Sequence, residues 1–346
     1  MVYPTPIPPD AATPTQDGAR VGERIGQGNV ALDVARMLLT PPRDLEKYDV
    51  PAPVLDVLRR SAVRHVSIIG RRGLLQAAFT TKELRELTTL AGTSMIPLSP
   101  ELIAPPPTSS KLTRQQSRIL QLLQQSSSAP SPGATPTTQP PPPLGAKTWS
   151  LEFFRSPTGF TPDSQHLMLS HTTLDGRDRA VPTGQTSLLR TDLIVTALGQ
   201  HADPLQAYYD PALGHLRTAD HGRVLDGTGG ALRRVYASGW AATGARGVLA
   251  ATMIDAYAVA DVILADRHHS GAGGTYSDDV LVSDDVDPES VPKEIEQGVK
   301  ERRVVQYDQW KKIDAEEVRR GEEMGKERER MGWDEAREFL TSARAW

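Results

Sequence analysis

The residues best suited to chemistry stand near the start of the chain. Gly26-Gln27-Gly28-Asn29-Val30-Ala31 has the spacing G-x-G-x-x-[GA]. In that pattern the first glycine permits a tight turn, the second lets backbone approach a pyrophosphate, and a small third residue lets helix and strand pack closely. A helix starting there would turn free N–H groups and the positive end of its dipole toward the anion. After the next strand, where an NAD site would carry a carboxylate for the ribose 2′-hydroxyl, the chain has Gly70-Arg71-Arg72-Gly73. Two guanidinium groups suit a 2′-phosphate, so the combination argues for NADP over NAD. Each half alone is weak, because the glycine spacing arises by chance and an arginine pair after a strand is commonly a solvated rim. Their order, one helix and an insertion apart, strengthens the NADP reading. Glu83 stands three residues after Thr80 and fits the N3 place of a capping box, which accounts for it without a ligand.

A second constellation runs from Tyr236 to Ala256: a strand end, Gly239-Trp240, a glycine-rich turn and an apolar helix. Free N–H groups at Gly247, Val248 and Leu249 can stabilise an electron-rich carbonyl edge such as that of a reduced flavin, with Trp240 flanking the ring. A core tryptophan beside an ordinary strand–helix connection explains the same residues. No Ser-His-Asp order, catalytic carboxylate pair or Walker loop is present, and solvent-facing or capping roles account for Asp33 and Asp255.

Composition narrows the chemistry. The chain has 346 residues and no cysteine, which excludes disulfides, thiolate metal sites, a cysteine-held iron–sulfur cluster and a thiol nucleophile. Electron chemistry would need an organic cofactor or a partner's metal. The eight histidines are scattered, which argues against a metal centre. A net charge of −4 offers no electrostatic case for nucleic acid. No apolar run approaches a membrane span.

The elements that would position these residues follow from pattern. Val30–Leu39 has helical apolar spacing closed by Thr40-Pro41-Pro42, and Val54–Arg60 is a short helix. Val63–Ile69 is a buried strand, and a helix opens at Thr80-Thr81-Lys82-Glu83. Between 104 and 146 only Leu112–Leu123 has core-forming content, and the stretch from about 128 to 146 is a Pro/Ser/Thr linker. Trp149, Leu151 and Phe153 alternate on one face of a strand, and His166–Ser170 forms another. The run "RTDLIVTALG" is expected to be a strand buried on both sides. Arg234–Ser238 is a strand, and Gly247–Leu264 an Ala-rich helix. The charge-dense end is helical, with Trp310 and Trp333 as anchors. The first residues are Pro/Thr-rich, without a signal or transit pattern, and are expected to form a disordered leader over 1–24. The strand before Gly26 should be apolar, and Gly22-Glu23-Arg24 is expected to interrupt it.

"IGQGNVALDVARMLLTPPRDL", "IIGRRGLLQAAFTTKELREL", "LEFFRSP", "SGW" with "GVLAATMIDA", and "WKKIDAEEVRRG" together resemble the adrenodoxin reductase family, in that family's order from Ile25 to Lys326. These are FAD-containing NADPH:ferredoxin oxidoreductases of mitochondria, with bacterial relatives. The resemblance implies an α/β fold: a Rossmann-like NADP-binding domain over 25–200, then the C-terminal part of an FAD-binding domain over 201–346. It places Gln27, Gly28, Asn29 and Val30 on the pyrophosphate loop, Arg71 and Arg72 on the 2′-phosphate clamp, and Glu83 at an NADP contact. Trp240, Gly247, Val248 and Leu249 fall on flavin-contacting positions, with Gly247 near the nicotinamide side. It implies FAD and NADP as cofactors, hydride transfer from NADPH to FAD, and single electrons passed to a small acidic [2Fe–2S] ferredoxin of the adrenodoxin type. It also implies mitochondrial location and peripheral association with the inner membrane. Lys111, Arg114 and Arg118 are candidates for a basic docking patch, or else a solvated helix face. Departures are equally definite. The family's FAD-binding strand–turn–helix, well upstream of the NADP turn, has no counterpart, so an NADP(H)-binding module without flavin or turnover is the alternative reading. Ala242-Thr243 replace the family's Lys-Arg, and Ala245-Arg246 its Pro-Thr.

Overall fold

The computed structural model describes residues 20–105, 112–127, 146–163, 165–205, 208–219, 222–245, 247, 249–268, 276–277, 291–301 and 303–342. The expected linker between 128 and 145, and most of the expected leader, lie outside these residues. The chain divides into two compact units, Met1–Leu198 with Gln306–Trp346, and Gly199–Val305.

The first unit alternates strands and helices: β1 (Arg20–Ile25), α1 (Asn29–Leu39), α2 (Pro42–Leu45), α3 (Ala52–Arg59), β2 (Val63–Gly70), α4 (Thr81–Thr88), β3 (Thr93–Met95), α5 (Arg114–Ser127) and β4 (Lys147–Phe153). An antiparallel meander follows, β5 (Arg155–Phe160), β6 (His166–Leu174) and β7 (Ala180–Arg190), and then β8 (Leu193–Thr196). The main sheet has five strands in the order β3-β4-β2-β1-β8, every pair parallel. From β1 the chain crosses to β2 on one side, and β8 later fills the other. The carboxyl end of β1 is therefore a topological switch point, where open α/β sheets form their ligand crevices. Ala31, Leu32, Ala35 and Leu39 of α1 share one core with Val66 and Ile68 of β2, Trp149, Leu151 and Phe153 of β4, and buried leucines of α4 and α5.

Two strands differ from expectation. Gly22-Glu23-Arg24 does not interrupt β1, which pairs continuously from Val21 to Ile25 with β2 and along Gly22–Ile25 with β8. A strand's ladder is built from backbone N–H and C=O groups, which every residue except proline supplies in full. Strand β1 thus begins within the expected leader. Conversely, β8 is not buried on both sides. It pairs only with β1 at the sheet's edge, and Leu193 is 39% exposed.

His65 of β2 lies among hydroxyls: Nδ1 is 2.8 Å from Thr148 Oγ1, and Nε2 is 3.1 Å from Ser67 Oγ and 3.2 Å from Ser150 Oγ. Burial pushes the imidazole pKa below its ordinary 6.5, partly opposed by Glu152. The folded state therefore favours neutral imidazole, so this contribution to stability is complete above the unfolded pKa and is lost as pH falls through the folded one. The melting temperature of the wild type should drop between about pH 7 and pH 5 by more than that of His65→Gln. Parallel curves for the two proteins would dismiss the effect.

The second unit contains the two-stranded pair β9 (Tyr209–Asp210) and β10 (His215–Leu216). It also holds a four-stranded sheet of β11 (Thr218–Ala219), β12 (Arg223–Leu225), β13 (Ala231–Tyr236) and β14 (Tyr276–Ser277) in that order. Its helices are α6 (Trp240–Thr243), α7 (Leu249–His268) and α8 (Lys293–Lys300). Helix α7 is apolar around its circumference, a pattern suited to a surrounded helix. Nevertheless Leu249, Ile254 and Tyr257 are exposed, and Val259 is its buried residue among those described.

The chain then returns to the first unit as α9 (Tyr307–Glu323) and α10 (Trp333–Thr341). The end of the chain is thus divided from 201–305, with which the sequence reading grouped it. Polar contacts explain the placement. Lys326 Nζ donates to Val50 O at 2.7 Å, Glu329 Oε1 accepts from Ala52 N–H at 2.9 Å, and Arg330 pairs with Asp49 at 2.7 Å. Trp310 and Trp333, expected as anchors, are about half exposed, while Ile313, Glu317 and Ala336 are buried instead.

Candidate functional site

The turn after β1 is shaped by two glycines with different duties. Gly26 has φ +140° and donates its N–H to Ile69 O at 2.8 Å. A Cβ there would stand 2.3 Å from Ala197 O, so the close approach to the chain leaving β8 admits only glycine. Gly28 is the N-cap of α1 without a side-chain cap, and a Cβ there would meet open space. Ala31 N–H is taken by Gly28 O at 3.0 Å. The N–H groups of Asn29 and Val30 find no acceptor among the described residues. These unpaired donors at the positive end of a helix are what an anion requires.

Gln27 joins this turn to the arginine pair. Its Nε2 donates to Arg72 O at 3.2 Å, and its side chain lies across Gly70, where a Cβ would come within 1.7 Å of Gln27 Cδ. Gly70 is therefore the space Gln27 occupies, as well as the end of β2. Arg71 is exposed and Arg72 partly so, and neither guanidinium has an acceptor among the described residues. Their backbones are held firmly: Arg71 O accepts from Thr172 Oγ1 at 2.7 Å, and Arg72 O accepts from Phe154 N–H at 3.3 Å.

Asn29 and Glu83 meet through Thr80. Thr80 Oγ1 accepts from Glu83 N–H at 3.4 Å, giving half of the expected capping box. The reciprocal half is replaced, because Thr80 N–H donates to Asn29 Oδ1 at 2.8 Å. The Glu83 carboxylate is drawn to Arg36 of α1 at 2.9 Å, and Arg36 also pairs with Glu86 at 2.5 Å and Asp33 at 3.2 Å. One guanidinium thus offsets three carboxylates beside a turn suited to an anion. Val30 is 62% exposed at the mouth of the turn. The residues present fit a pyrophosphate on α1 and a phosphate between Arg71 and Arg72.

The remaining sequence candidates lie in other places. Trp240, Gly247 and Leu249 belong to the second unit, and Val248 falls outside the described residues. Trp240 opens α6 and is 52% exposed, which overturns its reading as a core tryptophan. Asp255 of α7 accepts from Gly239 N–H at 2.6 Å and so fixes the turn that presents Trp240. Leu249 stands almost fully exposed at the first position of α7. An open aromatic face beside glycine-rich backbone is compatible with a flat ring system. Lys111 lies outside the described residues, and Arg114 and Arg118 are exposed on α5. Arg118 shares a cleft of about 620 Å³ with Lys82 and Arg85 of α4. Neither Arg85 nor Arg118 has a carboxylate partner among the described residues, so the cleft is basic.

Sequence reasoning passed over Arg36, Arg85, Phe154 and Thr172. The one available signal lay in "LEFFRSP", a distinctive motif with no chemistry of its own.

A parallel sheet, a glycine turn at its switch point and a helix N-terminus facing that turn define a Rossmann-like α/β protein. Comparison with known proteins adds the lineage. NADPH:adrenodoxin oxidoreductase, mitochondrial, of Rattus norvegicus is 38% identical over 322 residues, which span 89% of this chain and 60% of that relative. Its counterpart in Homo sapiens is 36% identical over 322 residues, spanning 89% and 61%. FprA from Mycobacterium tuberculosis matches in structure with a TM-score of 0.74 and 26% identity, over 92% of this chain and 67% of that one. A structure of FprA in complex with NADPH gives a TM-score of 0.68 at 26% identity, over the same shares. No family model matches. Over most of its length the chain is thus homologous to the mitochondrial NADPH:adrenodoxin oxidoreductases. It spans about 60% of the length of these curated relatives.

Proposed function

We propose that this chain binds NADP(H) at the β1–α1 turn and serves as the NADPH side of an FAD-dependent NADPH:ferredoxin (adrenodoxin) oxidoreductase in the mitochondrion. One observation carries the reading: two arginines without acceptors among the described residues stand in a loop hydrogen-bonded to the glycine turn through Gln27. One dinucleotide would place its pyrophosphate at Gly28, Asn29 and Val30 and its 2′-phosphate at Arg71 and Arg72. Glu83, fixed by Arg36, borders the same place. The names of the relatives support NADPH as donor, adrenodoxin as acceptor and a mitochondrial setting, and FprA binds NADPH. When bound, the cofactors supply hydride transfer from NADPH to FAD and one-electron delivery to a [2Fe–2S] ferredoxin. The chain's residues bind and orient: Trp240, Gly247, Val248 and Leu249 are the proposed flavin contacts. Lys82, Arg85, Arg114 and Arg118 give an acidic ferredoxin a local positive field despite the chain's net charge of −4.

The openness of Trp240 and Leu249 favours a second reading, an NADP(H)-binding module that retains no flavin. A visible spectrum after incubation with FAD and desalting separates the two. Stoichiometric flavin that bleaches on adding NADPH supports the reductase. A colourless chain that NADPH protects against unfolding, and NADH protects less, supports the module.

A further inference from the structure

The β-meander has a role beyond framing the sheet: Thr172 within it and Phe154, the residue that leads into it, grip the arginine loop. Thr172 of β6 is buried and donates its hydroxyl to Arg71 O at 2.7 Å, while its N–H donates to Phe154 O at 3.0 Å. The register between β6 and β7 shifts between Ser170 and Thr172. Such an irregularity re-aims a side chain, and bulges of this kind concentrate beside functional sites. Phe154, at the junction of β4 and β5, has φ +55°, a left-handed conformation that a non-glycine residue adopts only when its surroundings hold it there. Its N–H donates to Arg72 O, and its ring fills the place a side chain at Gly73 would take, 2.5 Å from such a Cβ. Gln27 Nε2 makes the third bond, also to Arg72 O. Three donors from three separate segments therefore fix two successive carbonyls. Both glycines that flank the arginines are hollows filled by those segments, Gly70 by Gln27 and Gly73 by Phe154.

We infer that Thr172 and Phe154 are positioning residues for nucleotide specificity: they lock the peptide planes of Arg71 and Arg72 so that both guanidinium groups converge on a 2′-phosphate. The inference rests on the NADP reading of that pair. Without the lock the loop would keep its charges and lose their convergence. General attraction for nucleotides would survive, and discrimination for the 2′-phosphate would fall.

The test uses the full chain and calorimetric titration with 2′,5′-ADP and 5′-AMP. Thr172→Val, close in shape but lacking the hydroxyl, should lower the ratio of the two affinities by roughly three- to tenfold, the scale of one lost hydrogen bond. Its affinity for 5′-AMP should hold. Thr172→Ser, which keeps the hydroxyl, should retain the wild-type ratio. Phe154→Gly, which accepts the positive φ but empties the space beside Gly73, should lower the ratio as Thr172→Val does. In the Arg71→Gln, Arg72→Gln background, Thr172→Val should change the ratio no further. A ratio unaltered by Thr172→Val, or both affinities falling together, overturns the positioning role while leaving the arginine clamp standing. If Arg71→Gln with Arg72→Gln leaves the ratio unchanged, the clamp reading fails and the inference falls with it.

Discussion

On the proposed 2′-phosphate role of the arginine pair, Arg71→Glu combined with Arg72→Glu removes any preference for NADPH over NADH. Each guanidinium–phosphate hydrogen bond contributes about 1.5–3 kcal/mol when charge-assisted, so losing two weakens NADPH binding by roughly a hundredfold or more. The introduced carboxylates then repel the same phosphate. NADH has no 2′-phosphate to repel, and a carboxylate at this place can accept from the free 2′-hydroxyl. NADH binding should therefore stay within about tenfold of wild type or improve. Neither arginine carries a structural ion pair among the described residues, so the fold should survive, as a circular dichroism melt would verify. Equal losses for NADPH and NADH in fluorescence titrations would refute the 2′-phosphate role.

The second large effect concerns stability. Lys326 has a side chain only 3% exposed, bonded to Val50 O and ion-paired with Glu329, whose own side chain is 13% exposed. Glu329 Oε2 is buried, has no hydrogen bond besides this ion pair among the described residues, and faces the ammonium as its counter-charge. Lys326→Met would leave that carboxylate buried and uncompensated, a change that typically costs about 3–5 kcal/mol. Urea unfolding should show a loss on that scale. Adding Glu329→Gln should recover part of it, because the two residues are directly coupled. A single variant within about 1 kcal/mol of wild type would contradict this account. So would a double variant that recovers nothing.

What could be read in advance follows from how local the cause was. Gly26 was legible because its duty is steric and fixed by spacing, and Thr80 because its capping partner lies three residues away. Trp149, Leu151 and Phe153 were legible through alternation. β1 was misread because an apolar run is a sign of burial, whereas a central strand needs only its backbone. The run that became β8 has the composition of an interior strand but lies at an edge, a placement that depends on the whole sheet. Trp310 and Trp333 were weighed by size, yet backbone hydrogen bonds from Lys326 and Glu329 and the Arg330–Asp49 ion pair hold the chain's end in place. Arg36, Phe154 and Thr172 act on partners distant in sequence, and no spacing in one chain announces such a contact. Gly70 and Gly73 show the same limit: both were visible as turn residues, and the side chains that occupy their hollows were not.

The place of β1 also sets the order in which the nucleotide turn can be completed. Its first neighbour, β2, arrives soon after it in the chain, but Gly22 must wait for Leu193 before its other edge is paired. Closing so long a loop is entropically costly, and contacts of this separation form late in folding. Gly26 packs against Ala197, just beyond β8. During synthesis, therefore, the turn after β1 acquires its final shape only after the insertion, the meander and the edge strand have all emerged. Until then the middle of the sheet is an open edge, and the most recognisable motif in the sequence is among the last parts of the unit to mature.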